Sequence, residues 1–250
     1  MSMKAKQRMT LNNLSEPQQL RELNRQLEWV WNQLMGGLTS RSLSTGLRQE
    51  IQSGAARRFT GGAHVTVGEG GDYPTLAALA AAVNNRALAE DVTAEVLSDL
   101  EGGIALCGTL GAGRLIVEGG GHAVTGGMTL NGARADIRSL SFAAPVTVQG
   151  GDVRFTGVSF NGGGGEAALV IKDGANCGVE NCALTGASNL IRVENATLDA
   201  ANLRGSGARW LSAGHATIRA SGTRPQGGAQ TTACLCAPAT LSSLTANGAA

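Results

Sequence analysis

The sequence predicts a mainly β protein, a parallel solenoid preceded by an α-helical segment. Short apolar patterns recur about every 20 residues in the second half of the chain, which is typical of stacked structural repeats. Glycine makes up 37 of 250 residues without a collagen period, and 42% of the chain is apolar, so the glycines are expected at turns of a folded domain. Residues 15–34, in contrast, contain no glycine and space their apolar residues as a helix does.

Residues 1–36 are predicted to be a helical segment for oligomerisation and attachment. Ser15 fits the N-cap position, Pro17 fits the first turn, and Gly36 ends the pattern. The apolar residues follow the spacing of a coiled coil, at Leu20, Leu23, Leu27, Val30 and Leu34. Because so short a helix with so narrow a stripe is marginal alone, we expect it to associate with copies of itself. The alternative is a helix that folds back on its own domain.

Three further regions follow the helical segment. Residues 37–62 are predicted to be a neck or linker, and residues 63–222 a parallel β-helix with a helical cap near 75–84. The cap is expected because the first coil of a solenoid otherwise exposes its apolar interior and an unpaired strand edge. Residues 223–250 are predicted to close the last coil or to form a tail, since the repeat pattern fades there.

Four copies of one apolar pattern define the predicted coils. Each copy has apolar residues at its first, fourth and sixth positions, and the copies begin at Ile137, Phe155, Val179 and Leu198. A second β-like run follows each copy: APVTVQG, ALVIKDG, LIRVENA and ARWLSAG. A leucine-rich repeat would place Asn or Cys three residues after the pattern. The chain has other residues there, Pro145, Gly163, Ala187 and Ser206, so we reject that fold.

Composition excludes several classes of function. The formal net charge is +1 and the basic residues are scattered, which argues against a nucleic-acid partner. No apolar run approaches the length of a membrane span, and no apolar stretch of a secretory signal follows the first basic residues. We therefore expect neither membrane insertion nor export through a signal peptide.

The five cysteines are expected to be structural thiols. An odd number in a chain without a signal does not favour a disulfide framework. Cys182 lies in the apolar repeat, and Cys107 and Cys177 have similar surroundings. Cys234 and Cys236 are separated by one residue, too few for a zinc knuckle. No metal site and no cofactor are predicted.

Several carboxylates and histidines of the sequence are considered as catalytic groups. Paired carboxylates for glycoside hydrolysis could come from consecutive coils, and the candidates are Asp173, Glu180, Glu194 and Asp199. Ordinary surface carboxylates explain them better, because any solenoid stacks such residues about 4.8 Å apart. The three histidines, His64, His122 and His215, are expected to be isolated, with no nucleophile motif nearby. No catalytic residue is predicted.

One surface position is a candidate for glycan contact. Aromatic residues make up only 3% of the chain, and most of them lie in the repeat or in the helical segment. Trp210, beside Arg209, is the ring expected to be exposed. We therefore take Arg209 and Trp210 as candidates for sugar binding.

Two parts of the chain resemble known families. GEGGDYPTLAALAAAV, from Gly68, resembles the entry segment of pectin-lyase-like right-handed parallel β-helix proteins, and VRFTGVSFNG and CGVENCALTG resemble their coils. This resemblance covers about Val65 to Gly222. The order of helix, neck and β-helix is similar to that of bacteriophage and prophage tail fibre and tailspike proteins. That resemblance implies a homotrimer bound to other virion tail proteins through its N-terminus, assembled in the host cytoplasm.

The expected function is that of a virion structural protein, a rigid spacer that also contacts bacterial surface polysaccharide. One alternative is a polysaccharide-degrading β-helix enzyme such as a capsule depolymerase, which predicts a groove with paired carboxylates and an exposed aromatic ring. A second alternative is a cellular β-helix adhesin or scaffold, which would ordinarily need an export segment. An enzyme is not favoured, because the carboxylate and arginine motifs of pectin esterases have no match in this chain.

Overall fold

The computed structural model describes residues 58–109, 111–233, 241 and 243–247. The predicted oligomerisation residues Leu20, Leu23, Leu27, Val30 and Leu34 lie outside these ranges, as does most of the predicted neck. Within them the chain is a parallel β-solenoid of about seven turns, which confirms the mainly β, solenoid prediction. Its strands form three faces, named A, B and C here in the order in which each turn meets them.

Face A has a parallel strand in every turn. Its eight strands are β1 (His64–Val67), β2 (Val92–Val96), β4 (Leu115–Glu118), β7 (Arg134–Arg138), β10 (Asp152–Thr156), β13 (Asn176–Glu180), β16 (Thr197–Ala201) and β18 (Thr217–Ser221). Each pairs with the next without a register shift. Face A is therefore a regular sheet along the described solenoid.

Faces B and C are joined through one long strand. Face B contains β5 (Ala123–Val124), β8 (Ser141–Phe142), β11 (Ser159–Asn161), β14 (Ala183–Thr185) and the first residues of β17 (Arg204–Gly214). Face C contains β3 (Ile104–Cys107), β6 (Met128–Asn131), β9 (Val146–Gln149), β12 (Ala167–Lys172), β15 (Asn189–Glu194), the rest of β17, and β19 (Thr223–Thr232). The short strand β20 (Thr245–Asn247) pairs with the start of β19.

The core is built by stacking equivalent apolar residues of successive turns. All members of the first three predicted repeats are buried: Ile137, Leu140, Phe142, Phe155, Val158, Phe160, Val179, Cys182 and Leu184. Phe142 and Phe160 stack with ring centroids 6.2 Å apart, and Phe155 meets Phe160 edge to face at 5.1 Å. Burial of this apolar surface, at about 25 cal/mol per Å², is the main term that stabilises the solenoid.

The fourth predicted repeat is wrong by two residues. Leu198 pairs with Cys177, and it is Ala200 that pairs with Val179, so the matching positions are Ala200, Leu203 and Gly205. Strand residues face the core at every second position, so a slip of two residues still leaves Leu198 buried and hides the error. Gly205 has φ +135°, and a Cβ there would overlap the carbonyl of Leu184.

Two of the three corners turn through one or two residues in the left-handed region. Between faces C and A these residues include Asp173 (φ 56°), Asn195 (φ 49°) and His215 (φ 50°), and each donates its backbone N–H to the next turn. Between faces A and B the equivalent residues are Ser139, Gly157, Asn181 and Asn202. Gly and Asn adopt this conformation at the lowest cost, which explains their frequency at these corners. The corner between faces B and C has no such fixed length.

Helix α1 (Leu76–Val83) lies in the range predicted for a helical cap. It begins at Thr75, whose Oγ1 accepts a hydrogen bond from the N–H of Ala78 at 3.1 Å. After the helix, Asn84 donates from Nδ2 to the carbonyl of Ala105 and accepts at Oδ1 from the N–H of Cys107. The Asn84 side chain thereby covers backbone groups at the free edge of β3.

Candidate binding groove on face A

The outward side chains of face A form columns that run along the solenoid. Parallel register places one outward residue of each strand directly beside that of the next. The middle column consists of His64, Thr93, Ile116, Asp136, Arg154, Gly178, Asp199 and Arg219. Charged groups of neighbouring turns therefore lie about 4.8 Å apart at their backbones, close enough to pair or to repel.

The first half of face A carries a network of ion pairs that we call the ionic lattice, made of Arg114, Glu118, Asp136, Arg138 and Asp152. Arg114 donates from Nε to Asp136 Oδ1 at 2.8 Å and from Nη1 to Asp152 Oδ2 at 2.7 Å. Its Nη2 donates to the carbonyls of Ala135 and Asp152. Arg138 donates from Nη1 to Glu118 Oε1 at 2.7 Å. The charges of this region are therefore satisfied within the protein.

Arg114 is the central cation of the ionic lattice. Its side chain is 14% exposed, and the Asp136 side chain is 11% exposed. Burial lowers the pKa of Arg114, but the hydrogen bonds with Asp152 and Asp136 outweigh that effect and leave the pKa raised. Arg114 consequently stays charged, and its role is to neutralise two carboxylates that the sheet brings together.

The second half of face A contains a groove of about 520 Å³ over β10, β13, β16 and β18. Gly178 lies in the middle column on β13 and forms the floor, because it has no side chain. Arg154 borders the groove on one side, and Asp199 with Arg219 border it on the other. Glu180 lies beside Gly178 on the same strand. The groove is therefore polar and is built entirely from the regular sheet.

Two charged groups in the groove have no ionic partner among the described residues. Asp199 accepts from Arg219 at 3.0 Å, and Asp152 is held by Arg114 at 2.7 Å. Arg154 makes no ion pair, and its Cγ lies 3.5 Å from where a Cβ of residue 178 would be, so its stem lies beside the floor. Among the described residues, the Glu180 carboxylate accepts one hydrogen bond, of 3.4 Å, from Asn181 Nδ2. The groove thus offers one available guanidinium and one available carboxylate.

The four candidate carboxylates separate into two places. Glu180 and Asp199 both line the groove, whereas Asp173 and Glu194 lie at the corner between faces C and A. Glu194 is held by Arg192 at 2.7 Å, and Asp173 lies 3.9 Å from Lys172. In the groove, Asp199 is already paired with Arg219. Neither place therefore supplies two unpaired carboxylates, so the arrangement favours binding over acid–base chemistry.

The expectation that Trp210 is exposed is wrong. Its side chain is 1% exposed and belongs to the core. The register of β17 shifts between Arg209 and Leu211, so that two consecutive residues, Trp210 and Leu211, both pack inward at the corner between faces B and C. Leu190 with Ile191, one turn earlier, are likewise both buried. Arg209 is exposed on β17, and its contact with a glycan remains a prediction.

Two histidines are not isolated, contrary to expectation. His64 Nε2 lies 3.6 Å from Glu95 Oε2, and His122 Nδ1 lies 3.2 Å from Asp99 Oδ1. The backbone N–H of Ala123 also donates to Asp99, and these contacts, the backbone bond foremost, lower the pKa of the Asp99 carboxyl. Sequence spacing could not show these pairs because their members come from different turns.

The prediction of core thiols is confirmed for Cys177 and Cys182, which are fully buried. Burial raises the pKa of Cys182 to about 11, and it raises the pKa of Cys177 far above its usual range. Such thiols are poor nucleophiles at neutral pH. Cys107 is partly exposed.

Within the described ranges, no three His, Cys, Asp or Glu side chains are grouped so that they could hold a metal ion. The same part of the chain contains no helix with the length and hydrophobicity needed to cross a bilayer. Compared with known protein families, curated proteins and solved structures, the chain matches none of them. Inference about function therefore depends on the fold and the groove.

Sequence reasoning missed two residues that define the groove, Arg154 and Gly178. Gly178 lies at an outward position inside the strand NCGVE, and a glycine inside a strand is a recognised signal of close approach or open space. Nothing in the sequence around Arg154 indicates that it lacks an ionic partner, because this depends on which residue of the neighbouring turn lies beside it.

Proposed function

We propose that this chain is a structural component of a phage or prophage virion, of the tail fibre or tailspike kind. In this proposal the solenoid is a right-handed, pectin-lyase-like β-helix, the hand adopted by nearly all parallel strand crossovers. The segment with Leu20, Leu23, Leu27, Val30 and Leu34 forms a homotrimeric coiled coil that attaches to other virion tail proteins. The β-helix then acts as a rigid spacer that presents a surface to bacterial polysaccharide.

The observation that supports the spacer role is the unbroken pairing of face A. Eight strands follow one another in register, which corresponds to a rise of about 34 Å at about 4.8 Å per strand. Apart from the edge strands, each is hydrogen-bonded on both sides, and the corner residues add backbone bonds between turns. Bending such a rod would break many hydrogen bonds at once, so the architecture suits a part that must hold its shape at a distance.

A second candidate function, polysaccharide cleavage, is favoured by one observation. Glu180 and Asp199 come from neighbouring strands and both line the groove. A glycoside hydrolase needs one protonated and one ionised carboxyl across the scissile bond. The pair of Asp199 with Arg219 keeps that carboxylate occupied, and the aromatic ring expected in the site is buried in the core. We therefore place binding ahead of cleavage.

The molar mass of the purified full chain, measured by light scattering, tests the assembly part of the proposal. We expect a trimer for the full chain and a monomer for a version that starts at Gly61. Leu27→Ser, in the predicted apolar stripe, should dissociate the trimer, whereas Gln26→Ser, beside it in sequence, should not. A monomeric full chain would contradict the proposed homotrimer.

An assay for cleavage separates the two candidate functions. The full chain is incubated with a panel of bacterial capsule and surface polysaccharides, and new reducing ends are measured against Glu180→Gln and Asp199→Asn. The proposal expects no release by any of the three proteins. Release that disappears in both variants would establish the enzyme instead.

A further inference from the structure

Within the part of the chain that the structure describes, the groove on face A contains charged side chains without ionic partners, whereas the charged side chains around it are paired. Among the described arginines of face A, Arg114, Arg134, Arg138 and Arg219 all donate to carboxylates or backbone carbonyls. Arg154 has no such acceptor, and Glu180 has no cation. Both side chains are exposed and both line the groove. Face A therefore leaves one cation, Arg154, and one anion, Glu180, available for a ligand in the same groove.

The floor of the groove is open at a cost to the fold. Gly178 is the glycine found inside the described strands of face A, and glycine weakens a strand by about 0.5–1 kcal/mol relative to Ala. Its backbone does not require glycine, because its φ is not in the left-handed region. A Cβ would also meet nothing closer than 3.5 Å. The backbone could hold a larger residue, and the groove would then be filled.

The charges of the groove nearly cancel. Three carboxylates and two guanidinium groups line it, and Arg114 of the ionic lattice pairs with one of these carboxylates, Asp152, as well as with Asp136. A ligand of many like charges gains little from such a surface. Arg154 lies opposite Gly178, and Glu180 is two residues further along that strand, which separates their Cα atoms by about 8 Å. A ligand that carries one negative and one positive group therefore complements these two side chains.

We propose that this groove binds a zwitterionic ligand. The planar Arg154 guanidinium receives its carboxylate or phosphate through paired hydrogen bonds, and Glu180 receives its ammonium group. Gly178 provides the space in which the ligand lies against the sheet. That the natural ligand is a zwitterionic unit of a bacterial surface glycan rests on the proposed function, whereas binding in the groove does not.

Nuclear magnetic resonance titration of the full chain with small charged probes tests this proposal. The zwitterion is 6-aminohexanoate, and the single-charge controls of similar length are hexanoate and hexylammonium. Because exposed ion pairs are individually weak, we expect the zwitterion to bind about threefold or more tightly than either control. Its affinity should fall at high salt, since exposed charges are screened. Equal affinity for the three probes would overturn the proposal.

Charge variants distinguish recognition from a structural role. Arg154→Gln and Glu180→Gln should each reduce zwitterion binding to the level of a single-charge probe. The control Arg204→Gln, an exposed arginine on face B, should bind as the original protein does. The double variant Arg154→Glu with Glu180→Arg should regain binding, because a zwitterion can reverse its direction. Loss in the double variant, with the fold intact by circular dichroism, would count against the proposal.

A filled floor gives a test that does not depend on charge. Gly178→Val should abolish probe binding while the melting temperature stays the same or rises. Gly178→Ala, which adds only one methyl group, is the milder variant for use if the valine protein does not fold. Undiminished binding by a folded valine variant would refute the site. Zwitterion binding by a chain that proves monomeric would retain the site and reject only the fibre proposal.

Discussion

The ionic lattice and the groove occupy the same face of the same sheet, yet they use charge in opposite ways. In the lattice, Asp136 of the middle column is covered by Arg114 and Arg138, so that little of its side chain reaches solvent. In the groove, the same column holds Gly178, and the nearby Arg154 and Glu180 remain unpaired among the described residues. The two regions therefore differ at one outward position, where a carboxylate is paired within the protein in one region and a glycine leaves open space above the sheet in the other.

Removal of the central cation of the lattice should have the largest effect on stability. Arg114→Ala leaves Asp136 largely buried without its main partner, and we expect a loss of about 3 kcal/mol in the free energy of unfolding. Arg154→Ala, the matched change in the groove, should alter that free energy by less than about 0.5 kcal/mol, because it has no ionic partner to lose. Chemical denaturation of both variants checks this, and equal losses would contradict the distinction.

Removal of a carboxylate charge should also cost more unfolding free energy in the lattice than in the groove, but by a smaller margin. Asp136→Asn keeps the side-chain shape but weakens the bonds with Arg114, which should cost about 1–2 kcal/mol. Asp199→Asn breaks the exposed pair with Arg219 and should cost less than about 0.5 kcal/mol. Thermal melts at low and high salt provide the measurement. Sensitivity to salt that is greater for the original protein than for Asp199→Asn would support the exposed character of that pair.

The groove floor should be the place where a substitution stabilises the fold. Gly178→Ala is expected to raise the free energy of unfolding by about 0.5–1 kcal/mol, since the backbone and the space both admit a methyl group. Gly205→Ala is the control, because a Cβ there would overlap the carbonyl of Leu184 at φ +135°, and it should be strongly destabilising. Denaturant midpoints of the two variants compare them directly. A destabilising Gly178→Ala would show that the open floor has a structural cause.

Substitutions at the corners beside the two regions should have the smallest effects on stability. Ser139 follows the lattice strand β7 and Asn181 follows the groove strand β13, and both have left-handed φ angles, 48° and 54°. Asn tolerates this conformation better than Ser, so Ser139→Asn should stabilise by about 0.5 kcal/mol and Asn181→Ser should destabilise similarly. Opposite shifts in melting temperature are the expected result. Shifts of the same sign would mean that side-chain contacts, and not backbone conformation, govern these corners.

Prediction from sequence succeeded where the information is local. The apolar spacing of Ile137, Phe155 and Val179 predicts inward-facing strands, and the structure has them. The error at Leu198 arose because the alternation of apolar and polar residues shows which side of the sheet a residue faces. It does not show which residue of the neighbouring turn is its partner. Trp210 was misplaced for a related reason, since the register shift in β17 changes the alternation locally.

The groove could not be predicted because it is a relation between turns. Arg154 and Glu180 are 26 positions apart in sequence, and their shared groove exists only after β10 and β13 pair. Whether either ion finds a partner depends on what the neighbouring strand presents, here a glycine. Asp136 and Arg114 illustrate the opposite outcome of the same pairing rule.

The corner between faces B and C has a consequence for how this protein can change. β17 passes this corner without a break, whereas two turns earlier five residues, 162–166, separate β11 from β12. Gly163 and Gly164 are exposed there, and backbone bonds close the segment on itself and onto the next turn. Extra sequence at this edge would project away from the stack and leave its cross-section unaltered. The corner between faces B and C is therefore a site where a loop or a small domain could be inserted without changing the spacing of the stacked turns.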